Sequence, residues 1–397
     1  MSFIHDPVII VGGGPVGLTL AWLLQEAGVP VQLFEAEEAI SDQLRASTFH
    51  PPTLDMLAAS GITAQLHASG QITPTWQIRM HSTSQRAEFD LAVLKEDTDY
   101  PWRLQCRQAV LSHALHDRLA DGVCHFSHPV SRVEADADGV SVWAGGQELR
   151  AALVVGCDGA RSIVRAAMGV GFEGKTYPET TLLVTTRFPF EDHLDGLSGV
   201  NYIWKDEGTF SLLRLPDVWR ISLHPKAGQS VEEAMEDSAI QEAVAEIIGP
   251  QALAESGPFE IIEKRIYRIH RRVATRYLQD RLLLAGDAAH LNSPKGGMGM
   301  NGGIHDAFCL AEKITALANG ADRAVLAEYE RQRQPIARDD IGGQADQNRA
   351  RMMHKSAAQK QAHLTELQAI ASDSEKARAF LLRSSMIEGL RRAEALA

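Results

Sequence analysis

The segment Gly12-Gly13-Gly14-Pro15-Val16-Gly17 restricts this chain more than any other, because of what stands on either side of it. Ahead of it, Val8 to Val11 form a short apolar run bounded by Pro7, the pattern of a strand buried on both faces of a parallel sheet. Behind it, Val16, Leu20, Leu23, Leu24 and Ala27 recur at helical spacing, with Gly28 where a C-terminal cap belongs. Val31 to Glu35 then reads as a second strand. Strand, glycine turn, helix and strand predict a Rossmann-type βαβ unit. In it Gly12 permits the tight turn, Gly14 lets backbone approach a diphosphate, and Gly17 allows helix and strand to pack closely. Pro15 and Val16 open a helix whose free N–H groups and dipole favour negative charge. Glu35 can accept from ribose hydroxyls and would repel a 2′-phosphate, so the expected dinucleotide is FAD or NAD, not NADP.

Composition supplies no general anion-binding surface. The 397 residues carry 39 Lys and Arg against 51 Asp and Glu, a formal net charge of -12, which disfavours nucleic acid and anionic membranes as partners. An anionic cofactor must therefore be held locally. With 45% hydrophobic and 23% charged residues, the chain has material for a large core and more than one average domain. Cys106, Cys124, Cys157 and Cys309 show no CxxC spacing and no paired His. Neither a metal site nor a redox dithiol is expected, and a reducing compartment is. No basic, apolar leader precedes Pro7, and no apolar stretch reaches the ~20 residues of a membrane span. The chain reads as a soluble cytoplasmic protein, monomer or homodimer.

Changes of period divide the chain. Helices are expected around Thr53 to Ala59 and Val110 to Ala120, and short strands over Val130 to Val155 with turns at Asp138-Gly139 and Gly145-Gly146. From about Lys175 to Tyr277 the pattern is strand-like, apart from a helix over Val231 to Ile248. A buried strand returns at Leu282 to Ala285, followed by helices around Asn301 to Ala318 and Arg323 to Arg333, then a charged, helix-prone tail. The expected architecture is α/β. Residues 1–174 are the first part of a Rossmann-like dinucleotide-binding domain, 175–277 a mainly β-sheet substrate domain, 278–335 the closing part of the first domain, and 336–397 a C-terminal helical segment.

Two further motifs narrow the cofactor. Gly286-Asp287-Ala288-Ala289-His290, followed by Pro294, Gly296, Gly297, Met298, Gly299, Met300, Asn301 and Asp306, is a strand end running through a Gly-rich segment into a helix. It predicts a second helix N-terminus near the first, suited to an electron-rich ring edge. Cys157-Asp158-Gly159-Ala160-Arg161-Ser162 is another strand end feeding a helix. In order and spacing the three motifs resemble those of the class A, p-hydroxybenzoate hydroxylase-like FAD-dependent aromatic-ring monooxygenases. That resemblance implies FAD, bound without a covalent link. It implies a ribityl contact from Asp287, backbone support of the flavin pyrimidine edge by Met300 and Asn301, and an FAD or nicotinamide association for Asp158. It extends to Arg45 over the FAD and to a polar cofactor contact from Gln108 or Arg107. Pro294, Gly297 and Gly299 complete the cofactor set.

The resemblance also implies the chemistry. NADH or NADPH, bound transiently since no second GxGxxG is present, reduces the flavin. O2 is captured as a C4a-hydroperoxide, and a phenolic or hydroxypyridine-type ring, carboxylated or not, is hydroxylated. The sequence ends too early for the thioredoxin-like domain of the phenol hydroxylase branch, as in the short single-component form. Substrate groups are expected on the sheet domain: Arg220, Ser222 and His224 at i, i+2 and i+4 of a strand share a face, with Tyr202 on a neighbouring segment. Arg220 is the expected partner of a substrate carboxylate and His224 the expected proton acceptor. Pro294 to Gly303, with five glycines, is expected to be a flexible loop that gates the flavin. Two other classes share these motifs: a flavin-dependent halogenase, whose Trp-x-Trp signature is missing here, and a flavoprotein that only carries electrons or binds a partner.

Overall fold

A computed structural model describes residues 6–43, 45–226, 228–293, 296–343, 347, 350 and 356–397. The chain starts with the expected unit: β1 (Val8–Val11), α1 (Pro15–Glu26) and β2 (Val31–Phe34). β1 is no more than 5% exposed because it is central in a sheet ordered β18 (Leu278–Gln279), β19 (Leu282–Leu284), β12 (Leu153–Gly156), β1, β2, β8 (Cys124–His125). Val8 pairs with Leu153 on one side and Val31 on the other, both in parallel. Continuous apolar runs at β1, β12 and β19 follow from that double coverage. The strands before all three motifs thus lie side by side, and their C-terminal ends open on one edge, where α/β sheets bind ligands.

The hairpin region forms β9 (Val130–Ala135), β10 (Val140–Ala144) and β11 (Gln147–Ala151), an antiparallel sheet. A small sheet orders β3 (Thr48–Phe49), β7 (Arg103–Gln105) and β4 (Gln71–Thr73). Around it lie α2 (Pro51–Ala58), α3 (Ile62–Ser69) and α4 (Gln108–His116); α5 (Ile163–Met168) follows the Asp158 turn.

The second large sheet has eight strands: β20 (His290–Leu291), β17 (Ile261–Ala274), β13 (Phe172–Thr186), β16 (Trp219–Leu223), β15 (Thr209–Arg214), β14 (Val200–Trp204), β5 (Thr75–Met80) and β6 (Arg86–Asp90). Two of these strands, β5 and β6, come from within residues 1–174, so the sheet draws on more of the chain than the period change at Lys175 suggests. The reason is visible in β5. All of Trp76 to Met80, including Gln77 and Arg79, are buried, so the strand lacks the polar alternation that marks a half-exposed one.

One face of this sheet carries Leu182, Val184, Phe210, Trp219 and Ile221 against α7 (Asp237–Ile248), which is preceded by α6 (Val231–Ala234) and followed by α8 (Pro250–Ser256). The other face carries Trp76, Ile78, Val200 and Trp204 and is covered at one end by the C-terminal helices α11 (Ala357–Ala371), α12 (Ser374–Ser384) and α13 (Ile387–Glu394). Phe380 stacks on Phe89 with centroids 4.6 Å apart. Asp97, whose side chain is 2% exposed, receives Arg378 at 2.6 Å and Arg391 at 2.7 Å. α9 (Met298–Ala318) and α10 (Val325–Pro335) complete the fold. No helix among the described residues is long and apolar enough to cross a membrane.

Candidate active site

Glycine geometry brings the first two motifs together. Gly12 has φ +106°, and a Cβ there would lie 2.5 Å from the Cys157 carbonyl oxygen, so the turn after β1 touches the turn after β12. A Cβ on Gly17 would lie 2.0 Å from the Gly12 oxygen, so α1 rests directly on its own turn. Val16 then fits between Gly286 and Gly303: Cβ atoms there would lie 3.0 and 2.5 Å from its Cγ2. Gly14, by contrast, would meet nothing within 4 Å, and no side chain caps α1. The helix N-terminus therefore faces open space with its N–H groups free.

The same holds at α9. Its N-cap, Gly297, has φ +68° and no side-chain cap, and a Cβ on Gly299 would meet nothing within 4 Å. The helix already runs through Met298 to Gly303, and Asn301 to Gly303 are buried. The expected flexible loop is thus shorter than its glycines suggest, because Gly303 serves close approach to α1 and not mobility. Pro294 lies outside the described residues. The Asn301 side chain is committed: Oδ1 accepts from His50 N at 3.0 Å, and Nδ2 donates to the Thr48 oxygen at 2.8 Å and the Gly297 oxygen at 2.6 Å. The backbone of Met300 and Asn301 remains available to a cofactor.

Carboxylates stand around this opening. Glu35 accepts from Gly13 N at 2.5 Å and from Glu37 N at 2.9 Å, which fixes it at the end of β2 beside the glycine turn. Asp287 is exposed, between the buried residues Gly286 and Ala288. Desolvation by the protein around it pushes its pKa up, opposed by His290 and Arg45. Asp158 touches the Gly12 turn, but one of its oxygens accepts from Ile163 N at 2.6 Å while Oδ1 is buried without a partner. Its visible work is to hold the start of α5. Arg45 and Arg107 are both exposed, and Gln108 N donates to the Ala46 oxygen at 3.2 Å, so the Arg45 and Arg107 segments run side by side.

A buried ion cluster braces the second motif. Asp306, fully buried, accepts from Gly286 N at 3.1 Å, His290 Nε2 at 2.7 Å and Arg333 Nε at 2.7 Å. Burial alone would raise its pKa, but the His290 and Arg333 charges and bonds outweigh that and hold it down at about 2. Arg333 carries no local motif, so sequence reasoning had no means of finding it.

The sheet face opposite holds the expected substrate residues unequally. Arg220 lies on this face, and its guanidinium turns to the Arg45 carbonyl and, at 3.3 Å, to Ser47 Oγ. Burial brings its pKa down to about 10. Tyr202 packs edge-on to Trp76 and beside Arg103. His224 does not join them. β16 ends at Leu223, His224 Nδ1 is 3.0 Å from the Thr180 oxygen, and the ring lines a groove of about 990 Å³ with Phe210, Leu223 and Ile247 of the α7 face. The strict two-residue alternation that was to align it with Arg220 stops one residue too early.

His50, Arg103 and Gln105 were not anticipated. His50 Nε2 is 2.7 Å from the Gly296 oxygen, and Thr48 Oγ1 donates to Gln105 Oε1 at 2.9 Å. Burial and then the Arg103 charge lower the His50 pKa to about 3, so the ring is neutral at ordinary pH. Arg103 and Gln105 sit on β7, and His50 directly follows β3 at the N-cap of α2; strands of two and three residues are too short for periodicity to reveal.

Arranged thus, the site offers two bare helix N-termini for anions, carboxylates for ribose and ribityl hydroxyls, and space that glycines keep clear. The residues present fit an FAD. Comparison with known proteins agrees. The sequence profile described as FAD binding domain matches residues 5–341. The chain is 30% identical over 396 residues to the para-nitrophenol 4-monooxygenase of Pseudomonas sp. (strain WBC-3), covering 97% of each. It is 30% identical over 357 residues to the 6-hydroxy-3-succinoylpyridine 3-monooxygenase HspB of Pseudomonas putida (strain DSM 28022 / S16), covering 88% of this chain and 89% of that one. Its fold superimposes on p-nitrophenol 4-monooxygenase PnpA from Pseudomonas putida DLL-E4 with a TM-score of 0.88 at 30% identity, covering 97% and 98% of the two chains.

Proposed function

The chain belongs to the FAD binding domain family of flavin-dependent aromatic hydroxylases, and from that membership we propose that it uses NADH or NADPH and O2 to hydroxylate an electron-rich phenolic or hydroxypyridine-type ring. It is an FAD-dependent monooxygenase. The observation that carries the reading is the convergence of the uncapped N-termini of α1 and α9 on one opening beside Glu35 and Asp287. The halogenase and electron-carrier alternatives fall away, since the relatives compared are monooxygenases of nitrophenol and hydroxypyridine compounds. Four free cysteines suit a reducing compartment, and we assign the enzyme to the cytoplasm, as a monomer or homodimer.

When bound, FAD supplies the redox chemistry, accepting hydride and activating oxygen. The residues that would hold it are the backbone of Gly12, Gly14, Pro15, Val16 and Gly17 at the diphosphate, Glu35 at the adenosine ribose, and Asp287 at the ribityl chain. Gly297, Gly299, Met300 and Asn301 offer backbone at the pyrimidine edge. Arg45, Arg107 and Gln108 flank the opening, and Asp158 supports it from behind Gly12. The substrate ring would lie between the start of α9 and the sheet face bearing Tyr202 and Arg220. There the Tyr202 hydroxyl can hydrogen-bond and orient the ring oxygen, and the packed sheet excludes water. His224, which lines the groove on the α7 side, is assigned no part. The test is NAD(P)H oxidation by purified holoenzyme across phenols and hydroxypyridines. Stimulation by one class, with an oxygen atom from labelled O2 in the product, is expected. Flavin-loaded protein that no aromatic stimulates would overturn the reading.

A further inference from the structure

Two arginines are almost wholly buried near the flavin-facing wall, and they are treated differently. Arg333, 2% exposed, meets Asp306. Arg103, 3% exposed, meets no carboxylate among the described residues: its neighbours are the face of Trp76 at 5.0 Å and the hydroxyl of Tyr202, and its Nε is buried without a partner. Beside it Gln105 Nε2 and His50 Nδ1 are also buried without partners. A buried guanidinium lacking an anion is strongly disfavoured, and an aromatic face and a hydroxyl offset only part of that. The titratable groups facing Arg103 are His50 from the start of α2 and Tyr202 from β14. Neither supplies a carboxylate, and His50 is neutral. The cluster adjoins the cofactor wall: Gln105 bonds Thr48, which a Cβ on Gly297 would approach to 2.8 Å, and His50 bonds Gly296. Arg220, the arginine expected to take an anion, is occupied by the Arg45 carbonyl and Ser47.

We propose that Arg103 is the anion-recognising residue of the substrate pocket, pairing with an ionised oxygen on the aromatic substrate while Gln105 donates to the same end of the ring. This rests on the monooxygenase reading and names its substrate as an acidic aromatic bound in its ionised form. The experiment titrates FAD-loaded enzyme, followed by the flavin absorbance, with three probes across pH. These are 4-nitrophenol, which ionises near neutrality; 4-nitroanisole, which cannot ionise; and 4-methoxybenzoate, which carries its charge on a carboxylate. Expected are tightening of 4-nitrophenol as pH rises through its ionisation, weak binding of 4-nitroanisole at every pH, and a loss of at least about tenfold for the anionic probe in Arg103→Met, with partial recovery in Arg103→Lys. Should 4-methoxybenzoate be the anion that binds and depends on Arg103, the ionised oxygen is a carboxylate and the assignment of Arg103 holds. FAD content of each variant reports folding; Arg103→Gln carries the test if Arg103→Met fails to fold, and anionic-probe affinity unchanged in either folded variant overturns the assignment. Equal binding of neutral and ionised probes, or 4-nitrophenol weakening as it ionises, overturns the proposal and leaves the monooxygenase reading intact. Absence of any flavin perturbation or NAD(P)H stimulation by every aromatic overturns both.

Discussion

Gly303 of α9 and Val16 of α1 are so close that a single added methyl group on the glycine would lie 2.5 Å from Val16 Cγ2 and 3.0 Å from the Gly286 backbone. The backbone of Gly286 cannot give way, since its N–H is held by Asp306. Gly303→Ala should therefore cost about 1–3 kcal/mol by overpacking and reduce FAD retention by separating the two helix N-termini. Adding Val16→Ala should restore part of both, because the two sites share one contact. Thermal midpoints and flavin content of the single and double variants measure this; strictly additive losses would mean the contact is not the cause.

Glu35 should govern flavin affinity more than stability. Among the described residues its carboxylate is hydrogen-bonded by the backbone N–H groups of Gly13 and Glu37, and a charge-assisted hydrogen bond is worth roughly 1.5–3 kcal/mol. Glu35→Arg is expected to raise the FAD dissociation constant more than about tenfold while the apoprotein melts near the wild-type temperature. Unchanged affinity by flavin fluorescence titration would remove Glu35 from the ribose site.

The glycine framework of the candidate cofactor site was legible because its geometry is carried by backbone. A glycine that must adopt φ +106°, as Gly12 does, or let two helices touch, as Gly303 does, leaves a mark in the sequence at a fixed offset from a strand. The proposed substrate half draws on side chains from β7, β14 and β16, and nothing local links Arg103 to Tyr202. His224 shows the limit of periodicity: alternation assigns a face only while the strand lasts. β5 and β6 were missed as members of the second sheet because both faces of β5 are covered.

The Asp306 cluster predicts an acid limit. Its pKa is held down at about 2, below the ordinary carboxylate value near 3.9. A depressed folded-state value contributes stability that is complete above the unfolded pKa and is lost as pH falls through the folded one. The contribution should thus be full at neutral pH, about 2 kcal/mol, and fade between roughly pH 4 and pH 2. Asp306→Asn should flatten the pH dependence of unfolding in that window. Arg333→Met, which strands the buried carboxylate, should cost ~3–5 kcal/mol at neutral pH. Denaturant unfolding at stepped pH checks both.

Two neighbouring glycines separate a structural role from a cofactor role. Gly297 has φ +68°, and a Cβ there would lie 2.8 Å from Thr48 Cβ, whereas a Cβ on Gly299 would touch no protein atom within 4 Å. Gly297→Val should therefore destabilise the apoprotein. Gly299→Val, inside α9, should leave it as stable or slightly more so, and yet impair the holoenzyme, as the proposed placement of the flavin in that open space requires. Gly296 and Gly297 stand ahead of the helix that starts at Met298, and lid-type motions of such turns run on microsecond to millisecond timescales. A substrate that closes the wall should speed anaerobic flavin reduction by NAD(P)H above the substrate-free rate. Stopped-flow traces decide the matter. A Gly299→Val enzyme that binds FAD and is reduced as fast as wild type, with and without substrate, would show that the α9 N-terminus does not face the ring.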